Sequence, residues 1–404
     1  MKLEQREGQQ LSSAIRNRMQ LHQQNIQSVL AEVFNHQPIS RIEISRNLAL
    51  NKSTVSALYR DLKEAGYVEE LGEGDASNVG GRKPVLLAIN RRYGYTMNFD
   101  FGYRHLHVMQ NNLSGDVLSY KQINVLGLTI KQILPLIDVE LDKVAAKDKT
   151  SHGLLGISFA IHGTVLDNQV TYSPFLDMEQ VDLADYYTQK FQVPVLLENE
   201  ANAAAVYERD FNKENDRLDN MVTISIHRGI GAGLIINQNL HRGTHGEAGE
   251  IGRSIPVGGD WSGTPRKVED FCSEDAIINQ IQTQKGAENM TRDDVVRLFN
   301  EGDEVTKSAL NLFVKSVAAI IYNAANNFDP DVVFLNSPLL EELPELEPQI
   351  ESFYAQTAPT ILVPIKLTKN SHYATLLGGC ALVTRQALGM EEAKLNFDAQ
   401  TSVL

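Results

Sequence analysis

Cysteine and long apolar runs are scarce in this sequence of 404 residues. Its two cysteines, Cys272 and Cys380, lie far apart without a pairing pattern. That spacing argues against a disulfide framework and against a clustered zinc site, and it fits a reducing compartment. No run is long enough to span a bilayer, and the beginning "MKLEQREGQQLSS" is polar rather than an apolar signal segment. We therefore expect a cytoplasmic protein with no membrane partner.

Positive charge is also in short supply, since the net charge is −14. Residues 1–92 nevertheless carry 13 Lys and Arg against 10 Asp and Glu, a net of +3, so the remainder carries 24 against 41, a net of −17. Phosphate would repel the acidic part, so only the first 92 residues are expected to touch nucleic acid. A net of +3 is modest and predicts DNA binding that needs specific contacts and two DNA-binding heads, with an affinity that depends strongly on salt.

The stretch "LNKSTVSALYRDLKEAGYVEE" at 50–70 predicts a helix whose first turn differs from the rest. The rest of the helix has an apolar stripe at helical spacing, formed by Val55, Leu58, Tyr59 and Leu62. The first turn contains small, polar or cationic residues that lie off this stripe, namely Asn51, Lys52, Ser53, Thr54 and Ser56. Helix capping would explain two of these residues as well as a binding role would. The pattern of this helix alone therefore does not distinguish capping from binding.

The neighbouring segments favour a binding role. An apolar stripe at 26–34 predicts a helix that ends before Pro38, and Ser40 with Glu43 has the capping-box spacing that opens a second short helix. After the third helix come a strand, a loop with "GGRK" at 80–83 and another strand. This order is the layout of a winged helix-turn-helix, whose third helix enters the DNA major groove by its N-terminal end.

Candidate DNA contacts follow from this layout. The polar first turn of the third helix would face the groove, and the loop cations would reach phosphates or the minor groove. The alternative for the loop is an ordinary hairpin with solvated charges. The predicted DNA-binding residues are Ser40, Arg41, Asn51, Lys52, Ser53, Thr54, Ser56, Arg60, Arg82 and Lys83.

From about residue 93 the pattern becomes α/β. The predicted strands are "YTMNFDFGY", "HLHVMQNN", "DVLSYKQINV", "GLLGISFA" and "VPVLLEN" in a first half, and "NMVTISIH", "GAGLIINQNLHRG", "DVVFLNS" and "ILVPIKLT" in a second. Helices are predicted across roughly 128–146, 267–285, 291–300 and 303–327. Two halves that each open with antiparallel strands suggest an actin-like, sugar-kinase-like duplication, with a ligand in the cleft between two lobes.

Polar groups gather where predicted strands end. "LLENEANAAA" places Glu198, Asn199 and Glu200 after a buried strand, and "HGEAGEIGR" puts Glu247 and Glu250 in a glycine-rich loop. Such groups suit a polyhydroxylated ligand, because each carboxylate can accept two sugar hydroxyls. Helix capping and turn chemistry are the alternative explanation. "HRGIGAG" at 227–233 fits either a phosphate loop or a hairpin turn.

The chain resembles the ROK family (repressors, open reading frames and kinases), and within it the xylose-operon repressors of Gram-positive bacteria. The resemblance is carried, in order, by "PISRIEIS", "LNKSTVS", "GGRKPVLLAINRRYGY", "GISFAIHGTV", "ENEANAAAVYE", "IGAGLIINQNLHRGTHGEAGEIG" and "FLNSPLL". It implies a winged-helix DNA reader fused to a two-lobed sugar-binding domain, released from operator DNA by a sugar, and it implies oligomerisation. The sugar-binding residues so implied are His162, Gly163, Asn199, Glu200, Glu250, Arg253 and Glu269.

Departures from the family's kinases argue against catalysis. Their Asn-Asp pair, which holds the sugar and supplies the base, is Asn199-Glu200 here, as in xylose-type repressors. At the position of the kinases' first phosphate loop this chain has "DFGYRH", in which Tyr103 and Arg104 replace small residues. Asn336-Ser337 stands where the kinases have a Gly-Gly turn. The family's zinc site is missing as well, with Arg253 at its His position and no cysteine in "PVGGDWSGTPRKVEDF". We therefore expect no catalytic residue, no metal and no cofactor.

The expected protein is an α+β multidomain chain and a sugar-responsive repressor of a carbohydrate-utilisation operon, acting as a homodimer or a higher even oligomer. Its expected parts are an N-terminal arm 1–20, a winged helix-turn-helix 21–92, a first lobe 93–205, a second lobe 206–387 and a polar, frayed tail 388–404. The alternatives are an active ATP-dependent sugar kinase with an appended DNA module, and a regulator whose cleft reads a protein partner. Arg253 is either a structural tie to Glu250, Glu247 or Glu269, which we favour, or the selector of an anionic sugar.

Overall fold

The N-terminal head is a winged helix-turn-helix, as predicted. The computed structural model describes residues 2–74, 83–215, 217–256, 266–357 and 361–397, with side chains from residue 18 onwards. The head contains a three-stranded antiparallel sheet in the order β1–β3–β2. Its elements are α1 (Lys2–His36), β1 (Ile39–Ser40), α2 (Arg41–Asn47), α3 (Lys52–Glu64), β2 (Val68–Glu73) and β3 (Val85–Ile89). Residues 2–20, expected as a separate arm, are instead the first part of helix α1.

Helix α3 is amphipathic as predicted, and this fixes how it packs. Its apolar stripe is buried at Val55, Leu58, Tyr59 and Leu62. The stripe shares one core with side chains from α1, α2 and the hairpin, namely Val29, Leu30, Val33, Phe34, Ile44, Val68, Leu87 and Ile89. Burying one such aliphatic side chain contributes about 1.5–3 kcal/mol, so this core orients α3 firmly and leaves its polar first turn on the outside.

The first lobe contains a five-stranded sheet in the order β10–β7–β4–β5–β6. The pairs β4–β5 and β5–β6 are antiparallel, whereas β7 joins β4 and β10 in parallel. The elements are β4 (Tyr95–Phe101), β5 (His105–Asn112), β6 (Val117–Asn124), α4 (Ile130–Ala145), β7 (Leu154–Ile161), β8 (Thr164–Leu166), β9 (Gln169–Tyr172), α5 (Leu183–Phe191) and β10 (Val195–Asn199). The predicted strands and helix α4 are present, and the small β8–β9 hairpin is an addition that the sequence did not indicate.

The second lobe repeats this arrangement with a sheet in the order β13–β12–β11–β14–β15. Strands β11, β12 and β13 pair antiparallel, and β14 and β15 add in parallel. The elements from residue 200 onwards are α6 (Glu200–Asp210), β11 (Met221–Ile226), β12 (Ile230–Ile236), β13 (Asn239–Leu240), α7 (Glu269–Cys272), α8 (Glu274–Lys285), α9 (Arg292–Asn300), α10 (Glu304–Phe328), β14 (Val332–Asn336), α11 (Pro338–Glu342), α12 (Glu347–Thr357), β15 (Ile365–Leu367) and α13 (Ser371–Ala387). The two-lobed, sugar-kinase-like duplication is therefore confirmed.

Helix α10 is long and apolar enough to resemble a membrane span by length and composition. In this fold its apolar face is the centre of the second-lobe core, where Phe313, Val317 and Ile321 are fully buried. Its apolar composition therefore has an explanation within the packing of the lobe.

Helices α6 and α13 form the centre of the body, where the two lobes meet. Helix α13 packs on β4 and β7 of the first sheet, helix α6 packs on β11 and β12 of the second sheet, and the two helices contact each other. Residues 371–387, expected in the second lobe, therefore return to the first. Periodicity along the chain cannot show such a return, because it depends on which sheet the helix meets in space.

Residues 388–397 are packed rather than frayed, which corrects the expectation for the beginning of the tail. Met390, Leu395 and Phe397 are buried in the same apolar cluster as the helix α1 residues of the head. Five of the ten residues in this segment are apolar, and the buried ones pack in the cluster that includes the α1 side chains. Residues 398–404 lie outside the described part of the chain.

We predict that Ser40→Ala lowers the free energy of unfolding by about 1 kcal/mol, because Ser40 caps helix α2. Its hydroxyl accepts from the backbone N–H of Glu43 at 3.3 Å, and its own N–H donates to Oε2 of Glu43 at 2.9 Å. Chemical denaturation provides the measurement. The matched control is Ser56→Ala on helix α3, which is exposed and should change stability by less than about 0.5 kcal/mol. Equal losses in both variants would contradict the capping role.

Candidate functional site

The cleft between the lobes contains a cavity of about 280 Å³. It is bounded by the β7–β8 turn, the beginning of α6, the β11–β12 turn and the segments on either side of residues 257–265. The residues predicted to bind sugar all line it, namely His162, Gly163, Asn199, Glu200, Glu250, Arg253 and Glu269. The lining also includes residues that the sequence did not single out for sugar binding, namely Tyr172, Pro174, Phe175, Ala201, His227, Gly229, Ile230, Gly231 and Lys267.

Asn199 combines helix capping with cavity lining, so the two explanations offered for it are compatible. Its Oδ1 accepts from the backbone N–H of Asn202 at 3.1 Å, which caps α6. Its Nδ2 donates to the carbonyl oxygen of Gly163 at 2.8 Å, which ties the end of β10 to the β7–β8 turn. Glu198 has the structural role alone, because its buried carboxylate binds Nη2 of Arg242 at 2.7 Å.

Asp100 and His162 form a largely buried ion pair at one side of the cavity. Nε2 of His162 lies 3.0 Å from Oδ1 of Asp100. Burial alone would raise the pKa of Asp100 and lower that of His162, but their mutual attraction and hydrogen bond outweigh it. The pKa of Asp100 is therefore below its usual range, and that of His162 is raised to about 9. His162 is consequently a cation at neutral pH.

Glu200 is held by a network of side chains from the second lobe. Its Oε1 accepts a hydrogen bond from the Ser225 hydroxyl and lies 3.2 Å from Nε2 of His227. Asn336 supports the network by donating from Nδ2 to Oγ of Ser225 at 2.8 Å. Although burial raises the pKa of Glu200, His227, His162 and Ser225 together bring it below its usual value. Glu200 is therefore an ionised hydrogen-bond acceptor.

His227 is the main cleft residue that the sequence analysis missed. It follows β11 directly and lies in the turn 227–229 that leads into β12, a position that sequence spacing connects to a turn rather than to Glu200. Its ring lies edge-to-face with that of His162, with centroids 6.1 Å apart. The signal that could have revealed it is a polar residue at the end of a central buried strand, the same signal that pointed to Asn199.

Arg253 is tied to carboxylates, as favoured from the sequence. Its Nη1 lies 3.2 Å from Oε1 of Glu247 and 3.9 Å from Oε2 of Glu250. Its guanidinium also lies 5.5 Å from the centre of the Tyr172 ring. Because Arg253 and Glu247 are both partly exposed, the tie contributes only about 0–1 kcal/mol. Glu269, the third partner considered, instead has Lys267 at 3.3 Å.

Each basic side chain that lines the described cavity has a carboxylate beside it. The pairs are His162 with Asp100, His227 with Glu200, Arg253 with Glu247, and Lys267 with Glu269. An anionic ligand would have to break one of these pairs, whereas hydroxyl groups can donate to the remaining carboxylate oxygens. Burial additionally raises the pKa of Glu250. These properties favour an uncharged, hydroxyl-rich ligand.

Arg228 connects the two lobes at the edge of the cavity. Its guanidinium carbon lies 3.6 Å from the ring centre of Tyr103 and 4.6 Å from that of Phe175, both in the first lobe. Its Nε lies 3.1 Å from Oδ2 of Asp275 in the second lobe. Tyr103 belongs to the β4–β5 turn and Arg228 to the β11–β12 turn, so the stacked pair fills the space between these two turns.

The described ranges contain no cluster of three His, Cys, Asp or Glu side chains able to hold a metal ion. Cys272 and Cys380 are buried and unpaired. Burial raises the pKa of Cys272 to about 12 and that of Cys380 to about 11. Both thiols therefore stay protonated at neutral pH, a state that suits neither metal ligation nor nucleophilic attack.

The first turn of α3 forms a second candidate surface, on the head. Asn51, Lys52, Ser53, Ser56 and Arg60 are exposed, and Thr54 is half-buried. None of these side chains has a hydrogen-bond partner among the described residues, and Asn51 occupies the N-cap position without making a cap hydrogen bond. Capping therefore does not account for this polar turn, and its donors and acceptors remain available to a ligand.

The other predicted DNA contacts divide into three groups. Ser40 is 3 % exposed and serves the α2 capping box, so its assignment as a DNA contact is corrected. Arg41 is exposed, with its guanidinium carbon 5.2 Å from the Tyr59 ring centre, and Lys83 is exposed two residues before β3 begins. Arg82 lies outside the described residues.

Known proteins resemble the chain over nearly its whole length. A model of the ROK family matches residues 97–386. The xylose repressor of Lactiplantibacillus pentosus is 45% identical over 381 residues, which cover 94% of this chain and 97% of that protein. The xylose repressor of Staphylococcus xylosus is 36% identical over 380 residues, which cover 93% of this chain and 98% of that protein.

Solved structures support the fold. A ROK family transcriptional regulator described as a homolog of the E. coli MLC protein superposes with a TM-score of 0.75 at 22% identity, covering 93% of this chain and 98% of that one. A ROK family glucokinase from Streptomyces griseus, in complex with glucose and AMPPNP, superposes with a TM-score of 0.61 at 20% identity, covering 72% of this chain and 99% of that one. At these identities the likeness concerns the fold.

We predict that Asp100→Asn lowers the pKa of His162 from about 9 towards its ordinary value of 6.5, because burial then acts without the opposing carboxylate. NMR titration of the His162 ring measures this directly. Since the folded pKa lies above 6.5, the stabilisation by the pair is complete below pH 6.5 and is lost as the pH rises through about 9. The wild-type free energy of unfolding should fall over that range by at most roughly 3 kcal/mol, and Asp100→Asn should flatten the fall.

The matched control for this titration is Asp293→Asn, an exposed position on α9. It should leave the pKa of His162 at about 9. A pKa that stays near 9 in Asp100→Asn as well would show that Asp100 is not its cause.

Proposed function

We propose, because this chain belongs to the ROK family, that it is a sugar-responsive transcriptional repressor of a carbohydrate-utilisation operon. In this proposal the head binds operator DNA in the cytoplasm, and a sugar that enters the interlobe cleft causes release. The observation that carries the proposal is that one chain combines a polar helix N-terminus free of internal partners with a cavity lined by carboxylates, an amide and histidines. The extensive similarity to two xylose repressors supports the same function.

The effector proposed here is an uncharged sugar, with xylose as the first candidate. Among the described lining residues, Arg253 is paired with Glu247 and Lys267 with Glu269. An anionic group on the ligand would therefore find neither of these two cations unpaired. Asn199 and Glu250, together with the remaining oxygen of Glu200, are the proposed hydroxyl partners. His162 and Glu269 are proposed to complete the ring of polar contacts, and Gly163 to hold Asn199 in place.

The alternative of an active sugar kinase is less well supported. A general base must be free to accept a proton from the substrate hydroxyl, and its pKa is best matched to the operating pH. Glu200 instead already accepts from Ser225 and faces His227, which depresses its pKa. The stacking of Tyr103 on Arg228 also occupies the space between the two turns that would face nucleotide phosphates in a kinase of this fold. We propose a sensor without catalytic activity.

For operator binding we propose the exposed turn 51–56 of α3 as the base-reading surface, with Arg41, Arg60, Arg82 and Lys83 as phosphate contacts. A net charge of +3 on residues 1–92 gives little non-specific affinity. Two heads on a pseudo-palindromic operator would compensate through effective concentration. A homodimer or a higher even oligomer is therefore proposed.

The decisive experiment measures the Kd for an operator duplex, selected from random DNA, with and without a panel of sugars at fixed salt. Xylose is expected to raise the Kd by a factor of roughly 5–150, the usual range of allosteric coupling. Glucose 6-phosphate and xylonate are expected to leave it unchanged, because the cations in the cleft are already paired. Glu250→Gln should weaken the response to xylose, while the matched control Glu304→Gln, on an exposed helix start, should keep it. Release by the anionic sugars alone would refute the neutral effector.

The same sugar panel in an ATP-coupled assay addresses the kinase alternative. We expect ATP consumption no higher than in protein without sugar. Sugar-dependent ATP turnover would show that Glu200 can act as a base and would overturn the sensor assignment.

We predict that Ser53→Ala reduces discrimination between the operator and a mismatched duplex by about 1–3 kcal/mol, as expected for the loss of a base contact. Lys83→Ala should instead weaken binding to both duplexes by a similar factor, because a phosphate contact carries no sequence information. Ser119→Ala, on β6 of the first lobe, is the control and should change neither affinity. Unchanged operator binding in both head variants would refute the proposed orientation of the head.

A further inference from the structure

Residues 388–397, which we call the C-terminal strap, contact both the DNA-binding head and the centre of the body. The strap follows helix α13 and passes between α1 of the head and the end of α6. Its Phe397 ring is buried between aromatic rings from these two parts of the molecule. The strap is thus positioned to connect the sugar cleft with the head.

On the head side, the strap is bound to helix α1 by side-chain to backbone hydrogen bonds. Asn35 donates from Nδ2 to the carbonyl oxygen of Lys394 at 2.9 Å and accepts from the N–H of Asn396 at 2.8 Å. About two turns nearer the beginning of α1, the Gln27 side chain donates from Nε2 to the carbonyl oxygen of Gly389 at 2.5 Å. Since α1 shares its core with α3, these hydrogen bonds join the strap through α1 to the proposed DNA-reading helix.

Aromatic packing strengthens the same junction. The Phe34 ring of α1 meets the Phe397 ring edge-on, with centroids 4.9 Å apart. The Phe397 ring also stacks on the Phe211 ring at the end of α6, with centroids 5.0 Å apart. Phe397 is therefore placed between a head residue and a body residue and touches both.

On the body side, the strap is held by a buried ion pair. Arg385 of α13 lies 2.7 Å from Oδ2 of Asp210, the last residue of α6. The same guanidinium donates to the strap carbonyl oxygens of Ala393 at 2.9 Å and Leu395 at 3.3 Å. The N–H of Phe397 donates to the carbonyl oxygen of Asp210 at 2.8 Å. A guanidinium has fixed donor directions, so α6, α13 and the strap cannot shift independently here.

Helix α6 begins in the cleft, at the residues proposed to contact the sugar. Asn199 is its N-cap and Glu200 its first residue, and its 11 residues span about 16 Å. It is closely packed on both neighbours: a Cβ on Gly233 of β12 would lie 2.3 Å from the Ala201 carbonyl oxygen, and one on Gly378 of α13 would lie 1.8 Å from that of Ala203. Helix α6 is therefore in close backbone contact with both the second-lobe sheet and helix α13.

We propose that the C-terminal strap is the physical link by which the sugar cleft controls the DNA-binding head. The sequence of contacts runs from Asn199 and Glu200 along α6 to Asp210, and from there through the strap to Asn35 and Phe34 of α1. A second attachment of the head, where Tyr67 stacks on Tyr93 at 4.4 Å, lies beside the linker between head and body and does not involve α6. With that attachment fixed, a joint shift of α6, α13 and the strap turns the head relative to the first-lobe sheet. This inference rests on the proposed function for its sugar input.

The first test uses the double variant Gln27→Ala/Asn35→Ala, which removes strap contacts from partly exposed positions of α1 without emptying the core. The operator Kd is measured with and without xylose, and the xylose Kd is measured calorimetrically without DNA. The link predicts a xylose Kd within twofold of wild type and a ratio of operator Kd values reduced at least fivefold towards one. Binding linkage is reciprocal, so the effect of the operator on xylose affinity must shrink by the same factor.

Matched variants separate this loss of coupling from general damage. Ser28→Ala changes α1 one residue from Gln27, but its hydroxyl bonds only within the helix, to the carbonyl oxygen of Gln24 at 2.9 Å. It should retain the wild-type ratio. Phe397→Leu keeps an apolar side chain while removing both ring contacts, and it should reduce the ratio as the double variant does. A wild-type ratio in both strap variants would overturn the proposal.

A second test needs no sugar and therefore separates the link from the proposed function. Amide hydrogen exchange of the full chain is compared with and without operator DNA. In wild type, DNA is expected to slow exchange severalfold in the head, in 390–397 and in the last turn of α6, whereas in Gln27→Ala/Asn35→Ala the slowing should stop at the head. Slowing that reaches α6 equally in the variant would refute the link. Slowing through the strap in a wild-type protein that ignores every sugar would uphold the link and refute the sugar response.

Discussion

The buried ion pair of Asp210 and Arg385 is the constraint on which the centre of the molecule depends. Asp210 also accepts two hydrogen bonds from Arg209, but Arg385 left without a carboxylate in this environment would cost several kcal/mol, so the end of α13 has to meet the end of α6. Burial lowers the pKa of Arg385 and attraction to the arginines lowers that of Asp210, yet both remain charged at neutral pH. The remaining guanidinium donors need acceptors, and the carbonyl groups of 393 and 395 provide them. The position of the chain's final described segment, and with it the contact to the head, follows from satisfying one buried charge.

The need to pair buried charges also shapes the cleft, but there it has a different consequence. In the cleft the paired charges line an open cavity. Each pair therefore fixes the protonation state of its members, while their remaining polar atoms can still contact a ligand. His162 is kept positive by Asp100, and Glu200 is kept negative by His227 and Ser225. In the proposed function, such a site recognises hydroxyl groups through its spare oxygens, because the basic side chains among its described lining residues are paired and Glu200 already accepts from Ser225. Recognition without turnover is the property that a sensor requires.

Much of the fold was predictable from local pattern. The stripe of α3, the capping box of Ser40 and Glu43 and the alternation of strands with helices are all encoded within a few neighbouring residues, and each is present as expected. The predicted sugar residues converge on one cavity, because the ends of neighbouring strands in the two sheets face the same cleft. His227 was missed because its carboxylate partner, Glu200, is distant in sequence, although its place at the end of a buried strand was a usable signal. Lys267 was missed although its partner Glu269 is only two residues away, because the sequence does not show that this segment lines the cleft.

Sequence alone determined the amphipathic helices, the strand segments and the chemical character of the two surfaces, because side-chain periodicity and capping act over one or two turns of chain. Tertiary structure alone decided that Ser40 is buried, that α13 returns to the first lobe and that residues 388–397 bind the head. These outcomes depend on pairings across long stretches of sequence, such as Asp210 with Arg385 and Asn35 with Lys394. Residues 388–397 have no helix or strand pattern of their own, and they are ordered because a buried guanidinium and a helix face supply the partners for their backbone.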